Sequence, residues 1–358
     1  MPVTINGSDG ITNASWTTGT RPSNPAAGQM GYNTETNALE FYDDNSGEWA
    51  IVRFDSEISA TGGSVSTITQ NGVSYRVHEF TSTGTSSFNI VSGSGTVEYL
   101  IVAGGGGGGK QNGAGGGAGG VVKGSIYLAP ESYPQSYTIE VGDGGPKNLR
   151  DPGTGNGRNN EPRNQFPLGI RGEDSAAFGL IAIGGGNGGG DDFHGAEGGS
   201  AGAGADDPEA VGGFSVQNAV GSPGFGNNGG DSAGADLGID GTGGGGGGGA
   251  SQPGFNIFAV NASDNRRGGD GVRSDITGTP IFYAGGGGGG QKVSGGTPSG
   301  PPGGLGGRGG GGGGGTGTDD DAENGAPNTG GGGGGGADSG DDTGAGGSGI
   351  VIVRYRIG

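Results

Sequence analysis

Val97 to Gly109 read VEYLIVAGGGGGG, an apolar run that passes without a break into six glycines. A strand followed by G-x-G-x-x-G is the fingerprint of dinucleotide-binding folds, and Gly104, Gly106 and Gly109 satisfy its letters. That chemistry also needs a helix after the glycines, whose N-terminal dipole and free N–H groups hold the pyrophosphate. Here the run continues as KQNGAGGGAGG, which has no apolar helical period. The glycines are therefore not read as a phosphate cradle.

The same composition extends through most of the chain. Glycine supplies 102 of 358 residues and apolar side chains only 28%, too little for a conventional core through the whole length. Tracts recur at Gly113 to Gly120, Gly184 to Gly190, Gly243 to Gly249, Gly285 to Gly290, Gly303 to Gly315 and Gly330 to Gly336. Glycine comes in blocks and not at every third position, which rules out collagen. In Gly185 to Gly190 the sixth position is glycine, with Asp191 one place late, so the calcium-binding nonapeptide is absent as well. A flexible linker is the alternative reading.

An ordered glycine run has one good solution, the extended threefold helix of the polyproline-II type, which makes no hydrogen bonds within itself. Each N–H and C=O must then find a neighbouring rod, and the missing Cβ lets backbones approach. Ordering seven glycines costs on the order of 10 kcal/mol, against roughly 1 kcal/mol net per hydrogen bond. One rod alone would melt, so the tracts are expected to fold as a bundle. Gly104, Gly106, Gly109, Gly186, Gly246, Gly287, Gly312 and Gly333 are taken as its scaffold positions.

Before the tracts, Thr20 to Ile51 alternate apolar residues between the turn clusters NTETN and DDNSG, a small three-stranded meander with Tyr32, Phe41 and Trp49 as its expected core. A module of about 50 residues buries little surface alone. Strands are also expected in VSYRVHEF, SFNIV and TVEYLIVA, and the chain closes with GIVIVRYRI. The expected fold is mostly β and irregular with almost no α-helix. It comprises a β module over 1–53, a linker over 54–72, β-sandwich-like strands over 73–103 and a polyglycine-II bundle over 104–358.

RPSNPAAGQMGYNTETNALEFYDDNSGEW resembles a short β module that recurs in bacteriophage tail fibres and other virion proteins, through Arg21, Pro22, Pro25, Gly28, Tyr32, Asn33, Glu40, Tyr42 and Trp49. YRVHEFTSTGTSSFNIVSGSGTVEYLIVAGGGGGG resembles the opening of the glycine-rich domain at the ends of phage tail fibres. The resemblance implies a virion tail protein assembled in the host cytoplasm and acting outside the cell. It further implies a homo-trimer attached to other tail proteins, with loops on a rigid scaffold that recognise a host saccharide or outer-membrane protein. An architectural fibre or capsid decoration protein and a bacterial filament subunit are the rival readings.

Charge and residue chemistry narrow the function classes. The net charge of −19 repels nucleic acid and anionic lipid, and no apolar run is long enough to insert in a membrane. Cysteine is absent, so neither disulfides nor thiolate chemistry is available. His78 and His194 are isolated, and no catalytic residue, cofactor or metal ligand is assigned. Acidic groups at Asp191 and Asp192, Asp319 to Asp321, and Asp341 and Asp342 are read as solvated clusters. Loops on a rigid scaffold are the functional candidates. Arg150, Arg158 and Arg163, then Phe193 and His194, then Phe255, Phe258 and Arg266 are the expected receptor contacts.

Overall fold

A computed structural model describes residues 14–36, 38–52, 56–130, 132–147, 171–190, 193–205, 210–217, 224–232, 243–257, 266–294, 297–299, 302–317, 321–337 and 342–358. The chain forms two compact units, Met1–Ser56 and Glu57–Gly358. Both are β and extended; the described residues contain no α-helix, and a 3-10 turn spans Thr18–Thr20.

The first unit is a four-stranded sheet in the order β1 (Ala14–Trp16), β2 (Met30–Asn33), β3 (Ala38–Asp43), β4 (Glu48–Ile51). The expected meander is present, and β1 joins its edge in parallel. Its interior differs from the one expected. On β2, Gly31 and Asn33 face inward, so the strand's period of two turns Tyr32 outward, 37% exposed. Phe41 and Trp49 are half-buried, and the centre is Trp16, Asn33 and Glu40. Glu40 accepts a forked pair from Arg21, Nη2 at 2.6 Å and Nε at 3.0 Å, together with Asn33 Nδ2 at 3.0 Å and Trp16 Nε1 at 3.2 Å. Trp16 lies across Gly31, where any Cβ would enter its ring, and meets Trp49 edge-on at 4.7 Å.

In place of the expected sandwich, the second unit begins with one curled nine-stranded sheet built around the long strand β8 (Gly84–Val102). Its first half pairs with β10 (Gln135–Val141), which leads on to β11 (Ser175–Ala177) and β12 (Leu180–Ala182). Its second half lies between β9 (Val121–Leu128) and the closing strand β17 (Ile350–Ile357), which continues to β7 (Val73–Phe80) and β6 (Ser64–Gln70). Phe88, Ile90 and Ile139 around the first half of β8 cluster with Val97, Ile101, Val351 and Val353 around its second half. Alternate residues Leu100, Val102, Ile350 and Ile352 face the opposite side and pack on Val272, Ile276 and Tyr283, around the hairpin of β13 (Val272–Ser274) and β14 (Ile281–Tyr283). That double burial explains why VEYLIV and GIVIV are almost continuously apolar.

Residues 54–72, expected as a linker, are instead largely structural. β5 (Ser56–Thr61) and β6 lie there, and β5 pairs with β8. The alternation of Ser and Thr with Ile58, Val65 and Ile68 has low hydrophobicity but good strand geometry, which composition alone hides. His78, fully buried, holds the β5–β6 turn: its Nδ1–H donates to the Gly62 carbonyl at 2.7 Å, and Nε2 accepts from the Tyr355 hydroxyl at 3.3 Å. The Tyr355 oxygen in turn accepts from Ala60 N at 3.2 Å.

Burial lowers the His78 pKa below its ordinary 6.5, against the Gly62 hydrogen bond that raises it. The unfolded chain therefore takes up this proton first, and stability present above pH ~6.5 is lost as pH falls toward the folded value. In urea titrations between pH 7 and 5, the unfolding midpoint of the wild type is expected to drop more steeply than that of His78→Gln. Parallel curves for the two proteins would remove His78 from this role.

The apolar strand then becomes a rod. Ala103 N, Gly106 N and Gly109 N donate to Gly120 O, Gly117 O and Ala114 O at 3.1, 2.8 and 2.8 Å, so bonds to one neighbour recur every third residue. Residues 113–120 form the central rod. Its N–H groups cycle among residues 330–336 (from Gly113, Gly116 and Gly119), 183–189 (from Ala114, Gly117 and Gly120) and 245–248 (from Gly115 and Ala118). Its carbonyls accept from residues 287–290, 103–109 and 200–203 in the same cycle. Each of these six neighbours also bonds to the next around the ring. The array is a hexagonal lattice of threefold rods, with further extended segments packed outside the first ring.

Candidate functional site

Glycine is required in this lattice for a steric reason. A Cβ on Gly104, Gly106, Gly109, Gly186, Gly246, Gly287, Gly312 or Gly333 would run into a carbonyl oxygen of the adjacent rod, for example Gly186 O beside Gly106 and Glu323 O beside Gly312. Alanine enters where rods leave room, as at Ala114, Ala203 and Ala205, which fill one another's space.

At the perimeter, where no rod supplies a carbonyl, side chains take its place. Asp174 Oδ1 accepts from Gly184 N at 2.8 Å, Asp231 Oδ1 from Gly212 N at 2.9 Å, Asp270 Oδ1 from Arg308 N at 2.9 Å and Asn324 Oδ1 from Ala345 N at 2.8 Å. Asp321, expected as part of a solvated cluster, accepts from Asp342 N at 2.9 Å. Part of the chain's acidity is therefore structural: these carboxylates finish the hydrogen bonding of edge rods. The signal for this in the sequence is weak, an Asp or Asn beside a glycine block.

The two ends of the lattice differ. At one end rods run on into strands, as residue 103 follows β8 and residue 121 opens β9. At the other end turns and loop flanks meet. Asn112 N donates to Ala337 O at 3.1 Å, its Oδ1 accepts from Val293 N at 3.0 Å, and Gln291 Oε1 accepts from Gly317 N at 2.9 Å. Lys147 Nζ pairs with Asp342 at 2.6 Å. Gly289 N, near the same end of its rod, donates to Arg266 O at 2.8 Å. Lys147 precedes the segment 148–170, Gly190 precedes 191–192, and Arg266 follows 258–265.

Of the expected contact residues, Arg150, Arg158, Arg163 and Phe258 lie outside the described residues, as do Asp191, Asp192, Asp319 and Asp341. His194 is exposed, but its Nδ1 accepts from Val211 N at 3.0 Å and closes a lattice edge. Phe193 is half-buried. Arg266 departs from the expectation. Its residue is 1% exposed with φ of 75°, and Nη1 reaches Pro302 O at 3.4 Å. It fills space between outer rods, so its guanidinium is not presented at the surface.

Phe255 does stand at a site. It is half-buried, with the Arg267 guanidinium 5.9 Å from its ring centre, and it lines an open groove of about 580 Å³ with Val211, Phe214, Asn228, Asp231, Pro253 and Asn256. Phe214 is 63% and Val211 46% exposed. Neither was singled out in the sequence, where each is a lone apolar residue beside glycines. Three outer segments build the groove: Gly229 N and Ser232 N bond to Gly213 O and Ala210 O, and Gly254 N and Ile257 N bond to Asn228 O and Asp231 O.

Residues 81–356 match the family described as the glycine-rich domain. The chain belongs to this glycine-rich domain family. The match begins just after β7 and ends one residue before the last residue of β17, so it covers most of the nine-stranded sheet and the whole lattice. None of the curated proteins matches the chain. Among the described residues, no cluster of three or more His, Asp or Glu side chains is placed to hold a metal ion. Within this glycine-rich domain, the groove and the loop-bearing end of the lattice are the candidate functional surfaces.

Proposed function

We propose that this protein is a structural component of a bacteriophage tail, a fibre or tip adhesin that recognises the host surface through loops borne on the glycine lattice. The observation that carries this reading is the polarity of the lattice: strands continue from one end, and at the other stand Lys147, which leads into the segment holding Arg150, Arg158 and Arg163, and the flanks of the segment that begins with Phe258. A rigid scaffold with chain-variable connections at one end suits recognition, because loops change without disturbing the bonds that hold them. The N-terminal module adds support through the Arg21, Asn33 and Glu40 cluster, which gives the resembling motif a physical role. On this reading the protein binds without turnover. Its partners are other tail proteins, sister copies in a trimer and a host saccharide or outer-membrane protein.

The test is adsorption of labelled full-length protein to the bacteria that the particle infects, with immunogold microscopy of the particle. Replacing 148–170 and 258–265 by short Gly-Ser connections is expected to abolish adsorption while leaving the unfolding midpoint unchanged. Gold is expected at a free distal end of the tail. Undiminished adsorption by the loop-replaced protein, or labelling along a capsid, would favour an architectural role instead.

A further inference from the structure

The groove has a regularity that follows from the threefold rod. Side chains three residues apart on such a rod point the same way, about 9 Å from one another. Val211 and Phe214, Asn228 and Asp231, and Pro253 and Asn256 are three such pairs, one from each adjacent segment, and all six residues line the groove. The apolar pair Val211 and Phe214 on one segment and Pro253 on another thus flank a strip of amide and carboxylate groups from Asn228, Asp231 and Asn256.

The polar strip is already finished on its backbone side. Asn228 Oδ1 accepts from Ser215 N at 2.9 Å, Asn256 Oδ1 accepts from Asp231 N at 2.8 Å, and Asp231 Oδ1 accepts from Gly212 N. Because side chains occupy the bonds that another rod would use, the groove is closed to a further glycine segment. Left over on these caps are the Nδ2 group of exposed Asn228 and the pair formed by Asn256 Nδ2 and Asp231 Oδ2, which meet in a long 3.4 Å contact. These fixed donors and acceptors lie beside the phenyl rings of Phe214 and Phe255.

We infer that the groove binds a linear, uncharged oligosaccharide lying along the rods. Sugar hydroxyls match a row of amide donors and carboxylate acceptors, and the C–H faces of pyranose rings match the phenyl walls. The volume is in the range of small-ligand sites. An anionic chain meets Asp231 in a protein of net charge −19, and an apolar peptide would strip water from the amide strip without replacing its hydrogen bonds. The inference rests on the groove alone and does not require the end loops to contact a receptor.

The experiment applies the intact protein to a printed array of linear neutral and anionic oligosaccharides, followed by saturation-transfer NMR on the best binder. Binding of a neutral glycan is expected, weakened at least about tenfold by Phe214→Ala and by Asn228→Ala. It should be retained in Phe214→Trp and in Leu305→Ala, which removes an exposed side chain outside the groove. Phe214 is largely exposed, so its replacement should leave the unfolding midpoint in place. Absence of neutral-glycan binding, binding of anionic glycans only, or binding indifferent to Phe214→Ala overturns the inference. Loop-replaced protein should still bind the glycan, so failure at the groove and failure of the adhesin reading give different results.

Discussion

Gly116→Ala is expected to destabilise the second unit by about 3 kcal/mol or more, lowering its thermal midpoint by roughly 5 °C or more. Gly116 lies in the central rod, and its added Cβ would enter the carbonyl oxygens of Gly106 and Gly107. Those oxygens belong to backbone that the lattice holds on every side, so the strain cannot be relieved by turning a side chain. The comparison that isolates this cause lies in the outer segment 311–315. At Gly312 the Cβ would meet the backbone oxygen of Glu323, whereas at Gly313 the nearest atom is the flexible Glu323 carboxylate at 3.0 Å. Gly312→Ala should therefore destabilise strongly and Gly313→Ala by within about 1 kcal/mol. Equal effects at the two positions, measured by urea unfolding followed by circular dichroism, would show that glycine is needed for something other than close approach.

In the first unit, acid should unfold the module through one carboxylate. The forked hydrogen bonds from Arg21, with those from Trp16 and Asn33, outweigh the cost of burial and hold the Glu40 carboxyl at about 2, below its ordinary 4.5. A depressed carboxylate contributes its full stability above the unfolded value and loses it as pH falls from about 4.5 through about 2. The pair is part-covered on the arginine side, where Arg21 is 25% exposed, and the contribution is on the order of 3 kcal/mol. The chain's two tryptophans, Trp16 and Trp49, both lie in this unit. Tryptophan emission of the intact protein therefore follows the module alone. Glu40→Gln should lower its stability by that amount at neutral pH and flatten the acid limb. An unchanged acid limb in Glu40→Gln would assign the titration to other groups.

Much of this architecture is legible in the residues. VEYLIVAGGGGGG marks the passage from a doubly buried strand to an extended rod, and residues 103–109 with 114–120 carry that passage out with bonds every third residue. The meander over Met30–Asn33, Ala38–Asp43 and Glu48–Ile51 follows from its turn signals. Other features were hidden for identifiable reasons. The strands in 54–72 are nearly neutral and only thinly apolar, so composition reads them as a spacer. Arg266 looks like a surface group because arginine usually is one, yet outer rods leave a space that its long side chain fills. Phe214 looks incidental until Asn228 and Pro253 are brought beside it.

The sequence alone determines that ordered glycine tracts must be extended and must satisfy their backbone groups on one another, since nothing else in them can be buried. It cannot determine which tract lies beside which. Glycine carries no side chain to serve as an address, and every rod offers the same N–H and C=O groups. That choice belongs to the tertiary structure: the anchoring strands, the side-chain caps at the perimeter and the few alanines that fit between rods select the six neighbours of residues 113–120. In selecting them they also bring residues 211–214, 228–231 and 253–256 to one face.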